Sequence, residues 1–238
     1  MGVIVESGDE RPLRPDDVFK VNEIFTSIQG EGSRAGRLCL FIRLTSCPLR
    51  CVYCDTTYAY AEGQSKTVAE LLREVRERLG DPRPGPNAPF IELTGGEPLA
   101  HPQAPALLQA LLDLGFEVAL ETAGSHDIAR VPKAVVKIVD RKTPGSGEEC
   151  RWMESNLDHL IPGQDELKFV LCDKEDYAWA KAWCEARGLF DRLDILFSPV
   201  WHSLDPRWLA ERIIADQLPV RFQLQLHKIV WGPDQTGV

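Results

Sequence analysis

Short apolar runs alternate with helical stripes along most of the chain. KVNEIFTSIQ (20–29) and RLCLFIRLTS (37–46) are rich in β-branched and aromatic residues and are joined by the glycine-containing EGSRAG, which predicts two strands around a short loop. Thr67 followed three residues later by Glu70 is a capping-box pattern, after which Val68, Leu71, Leu72, Val75 and Leu79 keep helical spacing up to Gly80. DPRPGPNAP (81–89) reads as a surface connection, and FIELTGG as a buried strand running into a glycine turn. Leu107, Leu108, Leu111 and Leu112 predict a second helix ending at Gly115. FEVALET, AVVKIVD, ELKFVLC and LDILFSPV follow as short strand-like runs, with a third helical pattern from Asp173 to Arg187 between the last two. Pro206 in the first turn after Asp205 opens a fourth helix, and VRFQLQLHKIV predicts a final strand. Residues 1–19 carry Pro12, Pro15 and several charges without periodicity, so they predict an irregular arm that leaves 20–238 as one domain.

Strands alternating with helices imply βα units and a largely parallel sheet. About four helices for some eight strands cannot complete an eightfold ring, so the expected fold is an incomplete, partly open parallel α/β barrel with its site at the C-terminal strand edge. The charge balance, 27 basic against 36 acidic residues, gives −9 without any run of Lys and Arg, which favours a small-molecule substrate over nucleic acid. No stretch reaches about 18 apolar residues, and MGVIVESGDERPLRPDD turns acidic before a signal-peptide core could form, so the expectation is a cytoplasmic protein without a membrane segment.

The seven cysteines change this picture. Cys47, Cys51 and Cys54 fall within one loop-like segment after a strand, and thiolates at such short spacing can wrap an iron–sulfur cubane. Three ligands leave one iron open to a small molecule; a structural zinc site completed by a distant His or Cys is the alternative. Cys39 and Cys172 lie in apolar runs and read as small core residues, while Cys150 and Cys184 are scattered. Thr94-Gly95-Gly96-Glu97-Pro98 closes the strand FIEL, where two glycines permit close backbone approach to a ligand and Glu97 offers a carboxylate to an ammonium. Glu121-Thr122-Ala123-Gly124, Lys142-Thr143-Pro144 and Ser198-Pro199-Val200 each follow a strand, as binding groups or as plain loops. Arg43 inside LFIRLT is costly unless paired, either with a ligand carboxylate or in a buried ion pair.

The spacing Cx3CxΦC with Tyr53 at Φ, together with Gly95-Gly96-Glu97, resembles the radical S-adenosylmethionine (SAM) superfamily. That resemblance implies a 4Fe–4S cluster on Cys47, Cys51 and Cys54, and SAM bound beside Tyr53, Cys54, Asp55, Gly96, Glu97, Lys142, Thr143 and Ser198. From residue 20 to the C-terminus, FTSIQGEGSRAGRLCLFIRLTSCPLRCVYCDTTYA, TGGEP and LQLHKIVWG resemble the 7-carboxy-7-deazaguanine synthase family. The family resemblance implies ring contraction of 6-carboxy-5,6,7,8-tetrahydropterin to 7-carboxy-7-deazaguanine with loss of ammonia, in the pathway to queuosine. It further implies Mg2+ at Thr56 and a pterin held by Ile28, Gln29, Gly30, Glu31, Arg43, Thr94 and the terminal Val238. A homodimer and an electron donor such as flavodoxin or ferredoxin complete the expectation. VDRKTPGSGEE departs from the family's plainer segment at Lys142. A glycyl-radical activase of the same superfamily and a non-enzymatic iron–sulfur electron carrier are the rival readings; neither has a use for both SIQGEG and the glycine turn.

Overall fold

The computed structural model describes residues 12–238; the expected arm at 1–19 therefore lies largely outside the described residues. Val18–Ile28 (β1), Leu38–Leu44 (β2) and Gln64–Thr67 (β3) come first, β1 pairing antiparallel with both β2 and β3. The first two strands match the apolar runs that predict them. β3 is polar, QSKT, and is formed by pairing with β1 rather than by a hydrophobic pattern.

Val68–Leu79 (α1) carries the reciprocal capping box between Thr67 and Glu70 and ends at Gly80 in positive φ. Phe90–Gly95 (β4), Ala104–Asp113 (α2), Val118–Thr122 (β5), Val136–Asp140 (β6) and Glu166–Leu171 (β7) follow. Lys174–Glu185 (α3), Asp194–Pro199 (β8), Pro206–Asp216 (α4), Arg221–Phe222 (β9) and Leu226–Val230 (α5) end the chain. The sheet runs β3-β1-β2-β4-β5-β6-β7-β8-β9, parallel from β2 to β9. No α-helix stands between β5 and β6, and only 3-10 turns lie between β6 and β7, so the α/β barrel is partial, as the helix count implies.

One expectation fails. VRFQLQLHKIV is not a long last strand: it gives the two-residue β9 and then α5. Its mixed polar pattern matches neither a fully buried strand nor a clean alternation, and Gln223 and Gln225 are occupied in side-chain hydrogen bonds to the loop after β1.

Strand periodicity sorts the two faces of the sheet. Leu40, Ile42, Leu44, Ile91, Leu93, Val118, Leu120, Val139, Leu167, Phe169 and Leu171 face the helices in the main core. The opposite face has two layers. Cys39, Phe41, Phe90, Ala119, Val136 and Ile138 form an apolar layer packed with Phe25. Farther along the same strands come Arg43, Thr94, Glu121, Asp140 and Lys168, and this polar layer opens on the C-terminal edge.

Candidate active site

A cavity of about 510 Å3 fills that edge, within the ordinary size range for a small-molecule site. The cysteine loop forms one wall. Its course is fixed by backbone hydrogen bonds from Gly96 to Leu44 (3.1 Å), from Glu97 to Ser46 (2.8 Å) and from Val52 to Ser146 (3.1 Å). Cys47, Cys51 and Cys54 are half-buried, free, and all line the cavity. Burial pushes the Cys47 and Cys51 thiols up, Cys51 to about 11. Among the described residues no group of three or more His, Cys, Asp and Glu side chains converges on a single metal ion. Three thiols in one short loop are a soft donor set that fits an iron–sulfur cluster.

The glycine turn packs directly against this loop. A Cβ at Gly96 would stand 2.2 Å from the Ser46 carbonyl oxygen, and one at Gly95, where φ is +157°, 2.4 Å from that of Leu44. Only glycine permits this approach. Glu97, expected to meet an ammonium, is fully buried beneath the cavity. Its carboxylate accepts hydrogen bonds from Leu99 N (2.9 Å), Thr122 Oγ1 (2.8 Å) and Ala123 N (2.8 Å), which tie the ends of β4 and β5 together. Thr143 is likewise turned inward, donating to Asp176 Oδ2 at 2.7 Å, and neither it nor the buried Ser198 lines the cavity. All three were legible as polar residues after strands, a pattern that does not distinguish a ligand contact from an internal tie.

Lys142 does reach the cavity. Its ammonium bonds Asp140 Oδ2 at 2.7 Å and lies 5.3 Å from the centre of the Tyr53 ring; burial would lower its pKa, but Asp140 and Tyr53 outweigh it and hold the group charged. The Tyr53 hydroxyl and one Asp140 carboxylate oxygen are buried without a partner, as is the indole N–H of Trp201. All three residues line the cavity, which leaves unused donors and acceptors there for a polar ligand.

Arg43 is both paired and available. Its Nε donates to Glu23 Oε1 at 2.7 Å, Tyr58 donates to the same oxygen at 3.0 Å, and the two terminal nitrogens make no hydrogen bond among the described residues. One ion pair thus orients a guanidinium whose fork remains free for a planar anion. Thr94 Oγ1 donates to Glu121 Oε2 at 3.2 Å. Asp55 is ion-paired to Lys228 at 2.6 Å, and Thr56 Oγ1 lies 3.7 Å from Cys54 Sγ.

The loop after β1 supplies Ile28, Gln29, Gly30 and Glu31, all in the cavity wall. Glu31 is held by Lys168 at 2.5 Å, by Gln223 Nε2 at 2.9 Å and by Gln225 Nε2 at 2.8 Å. The Gly32 amide donates to Gln223 Oε1 at 2.8 Å and the Leu226 amide to the Gly30 carbonyl at 3.1 Å. A Cβ on Gly30 would meet His227 Nδ1 at 2.6 Å. Burial lowers the His227 pKa, so its ring is neutral at pH 7. Pro233 to Val238 also line the cavity.

Sequence reasoning missed Lys168, Glu92, His227 and Lys228. For Lys168 in ELKFVLC and Glu92 in FIELTGG the signal was the one used for Arg43, a charge inside an apolar strand. Cys172 departs from its expected core position. It is half-buried beside Asp176, whereas Cys39 is fully buried.

A profile of the Radical SAM superfamily matches residues 41–141. A 7-carboxy-7-deazaguanine synthase of Chlorobaculum tepidum is 42% identical over 222 residues, covering 92% of this chain and 97% of that protein. One of Koribacter versatilis is 38% identical over 234 residues, covering 92% and 100%. Among solved structures, QueE from Escherichia coli superposes with a TM-score of 0.68 at 24% identity, over 87% of this chain and 94% of that one. Streptococcus suis SuiB bound to S-adenosylmethionine gives 0.51 at 14% identity, over 76% and 48%. At these identities the two structures speak for the fold.

Proposed function

The chain belongs to the 7-carboxy-7-deazaguanine synthase family of the radical SAM superfamily, and from that premise we propose how its own residues divide the work. The enzyme is a radical SAM lyase that converts 6-carboxy-5,6,7,8-tetrahydropterin to 7-carboxy-7-deazaguanine with loss of ammonia. Its family carries a 4Fe–4S cluster and SAM, which together supply the organic radical that takes hydrogen from substrate. Cys47, Cys51 and Cys54 hold the cluster. Gly95 and Gly96 let the turn backbone approach the SAM amino group, and Glu97 acts from below by fixing that turn through Thr122 and Ala123. Tyr53, Asp55 and Lys142 contribute to the nucleoside and methionyl contacts.

The free fork of Arg43, aimed by Glu23 and Tyr58, takes the substrate carboxylate. Gln29, Glu31, Thr94 and the chain-terminal carboxylate of Val238 meet the donors and acceptors of the pterin rings, and Ile28 and Gly30 shape the wall. Thr56 offers its hydroxyl to Mg2+, a hard cation that fills its other positions from substrate and water. The reductant is a small one-electron donor of the flavodoxin or ferredoxin type, the assembly a homodimer, and the compartment the cytoplasm. No described helix is long and apolar enough to cross a membrane.

The observation that supports this reading most is the meeting, in one cavity, of three free cysteines and an oriented, half-used arginine. The test is anaerobic incubation of the iron-loaded protein with SAM, a reductant and either the carboxylated pterin or its decarboxylated analogue. Deazaguanine and ammonia should form only from the first. Equal turnover of both, or 5′-deoxyadenosine without a pterin product, rejects the assignment.

A further inference from the structure

Three carboxylates from three elements crowd one ammonium in the cavity floor. Lys168 on β7 pairs with Glu31 of the β1–β2 connection at 2.5 Å and with Glu121 on β5 at 2.6 Å. The third, Glu92 on β4, forms no ion pair among the described residues, the same Lys168 being the cation that acts on it. One of its oxygens accepts from Gln29 Nε2, and the other makes no hydrogen bond among the described residues. The residue is only 3% exposed, yet it lines the cavity. The remaining neighbour is the Cys39 thiol on β2, which is neutral because burial raises it well above its ordinary range.

An ionised Glu92 would be a desolvated charge facing two carboxylates that already share the Lys168 ammonium. Protonation removes that conflict. It also converts the free oxygen from a pure acceptor into a donor. We propose that Glu92 serves as a neutral carboxylic acid that donates a hydrogen bond to an acceptor atom, a carbonyl oxygen or ring nitrogen, of the bicyclic substrate. This rests on the pterin reading of the cavity. Burial, and then Glu121 and Glu31, push the Glu92 carboxyl well above the carboxylate range, in keeping with that form at neutral pH. The arrangement sets donor against acceptor in a fixed pattern. Glu31 and Glu121, both paired with Lys168, accept from N–H groups, while Glu92 donates. A heterocycle with both edges is thereby told from one whose pattern is reversed.

Because the neutral form is lost as pH rises through the raised pKa, substrate KM should climb on the alkaline side in the wild type. Glu92→Gln keeps a neutral donor of the same shape. It should hold KM within about threefold at pH 7 and abolish the alkaline climb, whereas Glu92→Leu should raise KM about tenfold or more. SAM affinity, measured by calorimetry on the iron-loaded protein, should be unchanged in both. Infrared spectra of the substrate-free protein should contain a protonated-carboxyl band that Glu92→Gln removes. A Gln variant as impaired as Leu, a Leu variant with normal KM, or no band lost in Glu92→Gln overturns the proposal. The infrared arm needs no turnover, so its failure is separable from failure of the functional assignment.

Discussion

Gly96→Ala isolates what the glycine turn does for the cysteine loop. The backbone at Gly96 is not in the left-handed region, so the alanine carries no conformational strain and the whole penalty is steric. The new Cβ would lie 2.2 Å from Ser46 O, 2.6 Å from Ser46 C and 2.8 Å from Cys47 Cβ. Reaching ordinary contact demands a shift of about 1 Å, and the atoms in the way are main chain and the first side-chain carbon of Cys47. Overpacking of this kind costs about 1–3 kcal/mol, which a domain of ordinary stability survives. The shift also stretches the 2.8 Å bond from Glu97 N to Ser46 O that sets the height of the loop. A displacement near 1 Å at reacting groups costs on the order of a hundredfold in rate. The expected result is a folded protein with melting lowered by a few degrees and reductive SAM cleavage reduced about a hundredfold. Gly36→Ala is the control, since Gly36 has φ +89° and nothing within 4 Å. It should destabilise the protein about as much without altering iron content or cleavage. Wild-type iron loading and 5′-deoxyadenosine formation in Gly96→Ala would refute the steric argument.

Single Cys47→Ala, Cys51→Ala and Cys54→Ala exchanges should each remove most of the iron and its visible absorbance, and Cys150→Ala, at an exposed site, should leave both intact. Glu117 is shielded by burial, which would raise its pKa, but hydrogen bonds from Arg37 and Arg34 outweigh this and hold it below the ordinary range. Its contribution is therefore full at neutral pH and lost as pH falls through the lowered pKa. Discounted for solvent screening, Glu117→Gln should cost on the order of 1 kcal/mol at pH 7 and flatten the acid limb of a urea-denaturation series. Deleting residues 235–238, which line the cavity, should raise pterin KM with little change in SAM affinity, and appending two alanines should do the same. Normal kinetics in both would remove the tail from the site.

The parallel strands were legible because most are fully buried and short, and α1 to α4 because of their apolar stripes and end signals, whereas α5 falls inside the run expected to be a strand. β3 and the short β9 were not, since pairing rather than pattern makes them strands. In the site, the cysteine loop, the glycine turn and Arg43 were readable because chemistry or spacing sets them apart from ordinary core. Glu97, Thr143 and Ser198 show the limit. A polar residue after a strand can equally knit one loop to another, and only partner geometry separates the uses. Lys168 and Glu92 were readable in principle, but their pairing depends on β4, β5 and β7 being brought side by side.

The belt that joins the loop after β1 to the segment around β9 bears on how the protein is born. Gly32 and Gln223 are 191 residues apart, Glu31 and Gln225 194. A chain leaving the ribosome makes the cysteine loop early, yet it cannot finish the pocket around Glu31 until residues 223–225 have emerged. Contacts of such separation close late because the intervening chain must be ordered first. The three cysteines therefore stand, on a nascent chain, beside a cavity still open on one side. The wall made by Gln225, His227 and Lys228 is the last part of that cavity to come into place.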